Sequence, residues 1–330
     1  MTTSQWTEEP SGFASMCDWV IGSRAAFYGA IDKNSCWGDT SKHPRTIFVR
    51  TDAIPFFATD ILPCLSRPFV LVTGDSDATV PRQLDANVPW HMDVLMWNGL
   101  LEDTRVVHIF AENLDVPSPA KVTGIPAGFD PIRFPGISDE HVMAKAPPFA
   151  LENLRQRPLK VLDVRWPNDE ELMVNGRKRA SHICQTEWRE FCEYNAIGPE
   201  TFFEEIRRYS FIMCVRGSGL DPGPEAFEAL LLGAIPIVQR YPGDHGYKEL
   251  PVVLVDDWDM STLSSERLWA WREQLAPYFE EPELRAGVLE RLRLEYWWDK
   301  VDAALAGDTR RIRNEALAID TTSQSHHVDP

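Results

Sequence analysis

Residues 216–228, RGSGLDPGPEAFE, gather side-chain types that can hold a phosphorylated ligand. Gly217 and Gly219 let backbone N–H groups come close to an anion, and Arg216 brings positive charge to the end of an apolar run, Phe211–Val215. Gly223 followed by Pro224 opens a helix, because proline suits a first helical position where the N–H groups of the next residues point outward. Those donors and the helix dipole can hold a diphosphate. Glu225 and Glu228, three residues apart, share one face of that helix. A carboxylate accepts two hydrogen bonds from a pair of ribose hydroxyls, which gives Glu228, in an otherwise apolar helix, a ligand role. Glu225 can serve the same site or simply complement the dipole of its own helix. The glycine spacing also approaches a dinucleotide loop, G-x-G-x-x-x-G after a strand. That fingerprint needs an acid at the end of the next strand, and Asp244 is only loosely placed for it.

A second cluster of chemistry sits in GDSD, residues 74–77, which ends the apolar run Phe69–Thr73. Read alone, D-x-D suggests the carboxylates that hold a divalent ion against a diphosphate in GT-A glycosyltransferases. The nucleotide features lie some 140 residues later, so that use would require two donor sites. The carboxyl end of a strand in an open α/β sheet faces the ligand crevice. There Asp75 or Asp77 can act as the general base that takes a proton from an acceptor hydroxyl. Either can instead cap the following turn; Asp75 lies nearer the strand. Glu112 and Asn113 end another strand, while His108 within it reads as a buried, satisfied histidine. His91 and His245 are isolated, His245 and Asp130 read as turn residues, and Trp258 as a packing residue.

These residues require strands to carry them. Short continuous apolar runs at Thr46–Arg50, Phe69–Thr73, Val106–Phe110 and Lys121–Ile125 predict parallel strands covered on both faces. Helical patterns lie between them, at Ala53–Leu62 and Met92–Leu101. Residues 126–158 are proline-rich and lack a period, which marks an interdomain linker. The second half restarts with a strand at Leu159–Val164, helices near 176–194 and 200–208, and the glycine motif. Strands at Ile235–Val238 and Val252–Val255 follow, then two charged amphipathic helices from about 265 to 305. The pattern predicts an α/β protein of two Rossmann-like domains, 1–140 and 141–330, facing an interdomain cleft.

The chain has 330 residues, 44% apolar and 25% charged, enough for two ordinary cores. A net charge of −17 argues against nucleic-acid binding. The six cysteines show no zinc spacing, and most of them, in apolar contexts, read as reduced packing thiols. No signal peptide or apolar run long enough to span a membrane is present, so a cytoplasmic protein is expected.

The 216–240 stretch, RGSGLDPGPEAFEALLLGAIPIVQR, followed by LPVVLVDDWD at 250–259, resembles the donor-binding half of exostosin-like glycosyltransferases. So do IFVRTDAIPFFATDILPCLSRPFVLVTGDSDATVP (47–81), HIFAENLD (108–115), KVTGIPAGFDP (121–131) and LEYWWDKV (294–301). The similarity spans about 45 to 301 in patches. It implies a GT-B fold and inverting transfer of a sugar from a UDP- or GDP-sugar to a glycan or other hydroxyl acceptor. It implies no cofactor and no bound metal, with Glu228 on the ribose. Relatives carry a basic residue shortly before that glutamate, where this chain has Glu225. Arg216, or Arg177, Lys178 and Arg179 after the first strand of the second half, are left to meet the diphosphate. A basic loop at 177–179 can also be merely solvated. A non-catalytic nucleotide-sugar-binding protein remains the alternative from outside enzymology.

Overall fold

The computed structural model describes residues 12–22, 36–38, 42–84, 93–129, 153–165, 175–196, 199–217, 219–307, 312 and 317–321. The expected domain join at 140/141, most of the proline-rich linker, His91 and Asp130 lie outside the described residues.

Two six-stranded sheets organise the described residues. The first contains β1 (Trp19–Ile21), β2 (Cys36–Gly38), β3 (Thr46–Arg50), β4 (Phe69–Gly74), β5 (Val106–Ala111) and β6 (Val122–Gly124). Their order is β2-β1-β3-β4-β5-β6, and every pair is parallel except β1 with β2. The second contains β7 (Val161–Arg165), β8 (Cys192–Ala196), β9 (Phe211–Cys214), β10 (Ile235–Gln239), β11 (Val253–Val255) and β12 (Ile319–Asp320). It is parallel throughout, in the order β12-β11-β10-β9-β7-β8. This is an α/β architecture of two mostly parallel sheets, as the sequence predicts.

The helices are α1 (Val94–Glu102), α2 (Asn175–Gln185), α3 (Pro199–Ile206), α4 (Glu225–Leu231), α5 (Ser265–Leu275), α6 (Pro282–Arg291) and α7 (Leu294–Leu305), with shorter helical turns between some of them. The helix expected from Ala53 to Leu62 is a helical run from Thr51 to Cys64 whose hydrogen bonding changes along it, from 3-10 to α to π and back to 3-10, with Pro55 and Pro63 inside it. The helix expected to run to 194 stops at Gln185, and Cys192–Ala196 is an edge strand. A disulfide joins Cys184 to Cys192, with Cα atoms 5.3 Å apart. These two therefore depart from the expectation of reduced packing thiols, while Cys17, Cys64 and Cys214 remain thiols, and the bond weakens one support for a cytoplasmic location.

Strand alternation splits the first sheet between two cores. Ile47, Val49, Leu71, Ile109 and Ala111 face one apolar cluster. Phe48, Val70, Val72 and Phe110 face the other way and merge with the core of the second half. There α7 packs against β4 and β5, so the last helix of the chain covers the first sheet. Trp258, fully buried against Trp188 with ring centroids 6.5 Å apart, is a core residue. Among the described residues no helix is long and apolar enough to cross a membrane.

Candidate functional site

Parallel pairing puts the carboxyl ends of β3 to β6 on one edge: Arg50 pairs with Gly74, Thr73 with Ala111, and Ala111 with Gly124. The residues that follow these ends therefore line one rim. Asp75 is half-buried and Asp77 exposed. Glu112, 9% exposed, accepts a hydrogen bond from the Asp75 backbone N–H at 2.9 Å. Its carboxylate lies directly over Gly74, in space that a side chain at position 74 would fill. Arg50 is buried and pairs with Asp52 at 3.1 Å. Burial raises the Asp52 pKa above the usual carboxylate range, and Arg50 opposes that rise. His108 is buried and shares a 2.9 Å hydrogen bond with the Thr123 hydroxyl.

The turn after Gly74 is held from below. Ser76 Oγ accepts from the Ala78 N–H at 3.1 Å. Asp115 Oδ2 accepts from the Thr79 hydroxyl at 2.7 Å and from the Arg82 and Gln83 N–H groups. Asp115 was not singled out by the sequence reading, which had no signal for an acid acting 36 residues from its partner.

The second sheet reverses its strand order beside β7: β8 lies on one side, and β9 through β12 run away on the other. Open α/β sheets bind ligands at such a reversal, outside the carboxyl ends of the flanking strands. The loops leaving β7 and β9 here lead to α2 and to the glycine motif. Arg177, in the first turn of α2, donates from Nε to the Arg216 carbonyl at 3.1 Å and approaches Gly217. The half-buried Arg216 makes no side-chain hydrogen bond or ion pair with other described residues. Arg179 pairs instead with Asp257 at 3.1 Å, both exposed, and Lys178 is exposed as well. The structure thus brings Arg177 and Arg216 together and turns Arg179 towards the end of β11.

Gly223 has φ +82°, a left-handed value that favours glycine, and α4 begins at Glu225 with Pro224 just before it. The helix ends in a Schellman motif: Gly233 (φ +80°) donates to the Leu230 carbonyl and Ala234 to that of Ala229. Arg285 from α6 donates to the Leu230 and Leu231 carbonyls at 2.8 and 2.9 Å, and Arg157 donates to that of Leu232 at 3.1 Å. Burial, with Arg157 nearby, lowers the Arg285 pKa to about 10. Two buried guanidinium groups therefore fix the C-terminal end of the helix. At the other end the Glu225 carboxylate folds back over Gly223. Glu228 is fully enclosed, at 0% exposure, so a ribose contact there requires displacement of what now covers it.

Asp221 is the residue of the glycine motif that sequence reasoning missed. Its buried carboxylate accepts from the Gly223 N–H at 2.8 Å, the Tyr247 hydroxyl at 2.9 Å, the Tyr241 hydroxyl at 3.1 Å and the Ala127 N–H at 3.3 Å. Burial drives its pKa up to about 6, against the pull of these donors. The signal available was Asp-Pro-Gly, a turn signature, with nothing to say that the acid faces inward.

The two rims meet at several points. The Ser118 hydroxyl lies 3.3 Å from His245 Nδ1, and Gly124 packs directly on the Gly243 carbonyl. Asn113, 6% exposed, reaches from the end of β5 into the glycine loop. Its Oδ1 accepts from the Leu220 and Asp221 N–H groups, both at 2.8 Å, and its Nδ2 donates to the Ser76 carbonyl at 2.9 Å. One side chain therefore joins the turn bearing Asp75 and Asp77 to the loop bearing Arg216 and Gly219. Among the described residues no group of three or more His, Cys, Asp or Glu side chains is arranged to hold a metal ion.

No family model matches the chain, and no curated protein matches its sequence. Several solved structures align over most of it at low identity. An alpha1,3-fucosyltransferase is 10% identical, covering 84% of this chain and 82% of its own, with a TM-score of 0.39. An alpha,alpha-trehalose 6-phosphate synthase from Burkholderia multivorans is 12% identical, covering 81% and 72%, at 0.40. An alpha-glucosyltransferase in complex with UDP-glucose and DNA containing an abasic site is 9% identical, covering 78% and 80%, at 0.32. At these scores the likenesses assign no substrate and no residue role to this chain.

Proposed function

We propose that the chain is a glycosyltransferase that moves a sugar from a UDP- or GDP-sugar to an acceptor hydroxyl, with inversion and without a bound metal. The observation that carries this reading is the junction at Asn113. A basic glycine loop, at the strand-order reversal of one sheet, is hydrogen-bonded to an acidic strand end of the other. A cation pair beside a glycine-rich backbone suits a departing diphosphate, and a carboxylate across the cleft suits an incoming hydroxyl.

In the proposed reaction the acceptor oxygen attacks the anomeric carbon while the bond to the diphosphate oxygen breaks. The hydroxyl proton passes to a carboxylate of the first rim, Asp75, Asp77 or Glu112. The negative charge left on the diphosphate is met by Arg216, with Arg177 beside it. Glu228 is assigned to the ribose and Pro224 to the start of the helix beneath the phosphates. Two domains, divided near residue 140, and a cytoplasmic site of action belong to the same proposal.

A thermal-shift screen against UDP- and GDP-sugars tests it, since a ligand that binds only the folded chain raises Tm. One nucleotide class should stabilise the protein, transfer should survive EDTA, and Glu228→Ala should abolish transfer with the fold intact. Loss of activity on chelation with rescue by Mn²⁺ would move Asp75 and Asp77 to a metal. A saturable shift with no transfer or hydrolysis of any donor would leave a binding protein. The placement of Glu225 over Gly223 favours that second reading, because it sets a negative charge on the loop meant for the diphosphate.

A further inference from the structure

We propose that Asn113 is a positioning residue, a hydrogen-bonded clamp that sets the distance between the acceptor-side carboxylates and the donor loop. The inference rests on the transferase reading but can be tested apart from it. Asn113 adopts φ +49°, in the left-handed region, so its side chain leaves the end of β5 directed across the junction. Both halves of its amide are used on different partners. The oxygen takes the two consecutive N–H groups of Leu220 and Asp221, and the nitrogen binds the carbonyl of Ser76, between Asp75 and Asp77. Gly219 makes room for it: a side chain there would come within 2.6 Å of Oδ1. Gly219 does not adopt a left-handed φ, so its lack of a side chain serves this approach and not the shape of the turn.

Asn113 takes the place that a ligand oxygen would take. Two loop N–H groups that could face a phosphate are already bound to a side chain of the other half. They fix the loop instead of contacting the donor, which leaves charge recognition to Arg216 and Arg177. Aspartate at 113 could still accept from both N–H groups but could not donate to Ser76. Leucine could do neither. The acceptor-side carboxylates and the donor loop therefore share one reference point, which displacement in-line requires. Misplacing reacting groups by about 1 Å costs on the order of 100-fold in rate.

The experiment compares Asn113→Ala, Asn113→Asp, Gly219→Ala and the double variant Asn113→Ala/Gly219→Ala by hydrogen exchange and by steady-state kinetics. Asn113→Ala should speed amide exchange at Leu220 and Asp221 by about tenfold, the equivalent of one lost hydrogen bond each. Asn113→Asp should retain that protection while exchange quickens in the 75–78 turn, which also shows that a folded variant reports on the clamp. For transfer, Asn113→Ala and Gly219→Ala should each lower kcat by about 100-fold with the donor KM little changed. Removing the amide makes space for the new methyl, so the double variant should be no slower than the worse single one. Unchanged exchange at 220 and 221 overturns the clamp, as does a kcat within about twofold of wild type in Asn113→Ala. If the wild-type protein transfers nothing, the transferase reading has failed by itself, and the exchange measurements still decide whether Asn113 ties the two rims.

Discussion

The two sheets use the same units and differ in how the chain visits them. In the first, β1, β3, β4, β5 and β6 lie side by side in chain order. In the second, the chain goes from β7 out to the edge at β8 and returns to β9 on the other side. Only the second arrangement parts two neighbouring loops, and its crevice holds Arg177, Arg216 and the glycines. The first sheet also turns back, at β1 between β2 and β3, but β2 runs antiparallel, so the parallel strands β1 and β3 to β6 present one continuous rim. Under the proposed function the phosphate falls to the second half and proton transfer to the first, and that division can be broken from either side.

The largest effect should come from Asp221, which belongs to the second half but also binds the Ala127 N–H of the first. Asp221→Ala would leave two tyrosine hydroxyls and two backbone N–H groups without their acceptor. Loss of such a buried hub costs about 3–5 kcal/mol. Chemical denaturation should show the loss, and a drop under about 1 kcal/mol would remove the hub from the argument. The charge state gives a second handle. Asp221 titrates near 6 in the folded chain against an ordinary 3.8. A carboxyl whose folded pKa is raised contributes stability that is complete below its unfolded pKa and lost as pH rises through the folded one. The advantage of wild type over Asp221→Asn should therefore shrink by about 3 kcal/mol from below pH 4 to above pH 6. Tyr241 and Tyr247, whose pKa values burial drives far upward, stay protonated throughout. A difference that does not change across this window would refute the assignment.

Arg216 and Arg179 divide the basic residues of the second half. Arg216→Ala removes a charge-assisted contact to the diphosphate and should weaken nucleotide binding by about 1.5–3 kcal/mol, readable by calorimetry. Arg179→Ala should lose under about 1 kcal/mol, because its partner Asp257 sits in solvent. Equal losses would mean that the cleft draws on the whole start of α2, 177–179, and that the structure's pairing of Arg179 is incidental.

Gly74→Ala tests the first half alone. The new methyl collides with the Glu112 carboxylate, and such overpacking costs about 1–3 kcal/mol. If the first rim carries only acceptor chemistry, donor affinity should stay at the wild-type level while transfer falls. A parallel loss of nucleotide binding would show that the rims do not divide the work.

Much of this comparison was legible in the sequence, and the unread parts share a cause. Thr46–Arg50 and Phe69–Thr73 were readable because strands covered on both faces become continuous apolar runs. Cys192–Ala196 was not, because an edge strand with Glu193, Tyr194 and Asn195 on it looks like the charged helix before it. The strand-end acids and glycine loop could be placed on loops from local pattern alone. Asn113 and Asp221 could not be given roles, since all their partners but Gly223 lie between 20 and 108 residues away and only the folded topology brings them together. The seven-residue α4 was readable as a helix, but its anchorage by Arg285 and Arg157 was not.

The smallest effect is the most discriminating for Glu225. In the sequence it is a donor-site candidate; in the structure its carboxylate lies over Gly223 at the start of α4. A negative charge there stabilises the helix start, by about 0.3–1 kcal/mol, and repels a diphosphate by an amount of similar order. If Glu225 acts mainly through its charge, Glu225→Gln should lower Tm slightly and tighten nucleotide binding a few-fold, with both changes fading in high salt. If it binds the donor through hydrogen bonds, the same variant should weaken affinity, and salt should not erase the loss. Calorimetry with the nucleotide from the screen, at low and high ionic strength, separates the two. Weakened binding at both salt concentrations would return Glu225 to the donor site and remove the charge objection to catalysis.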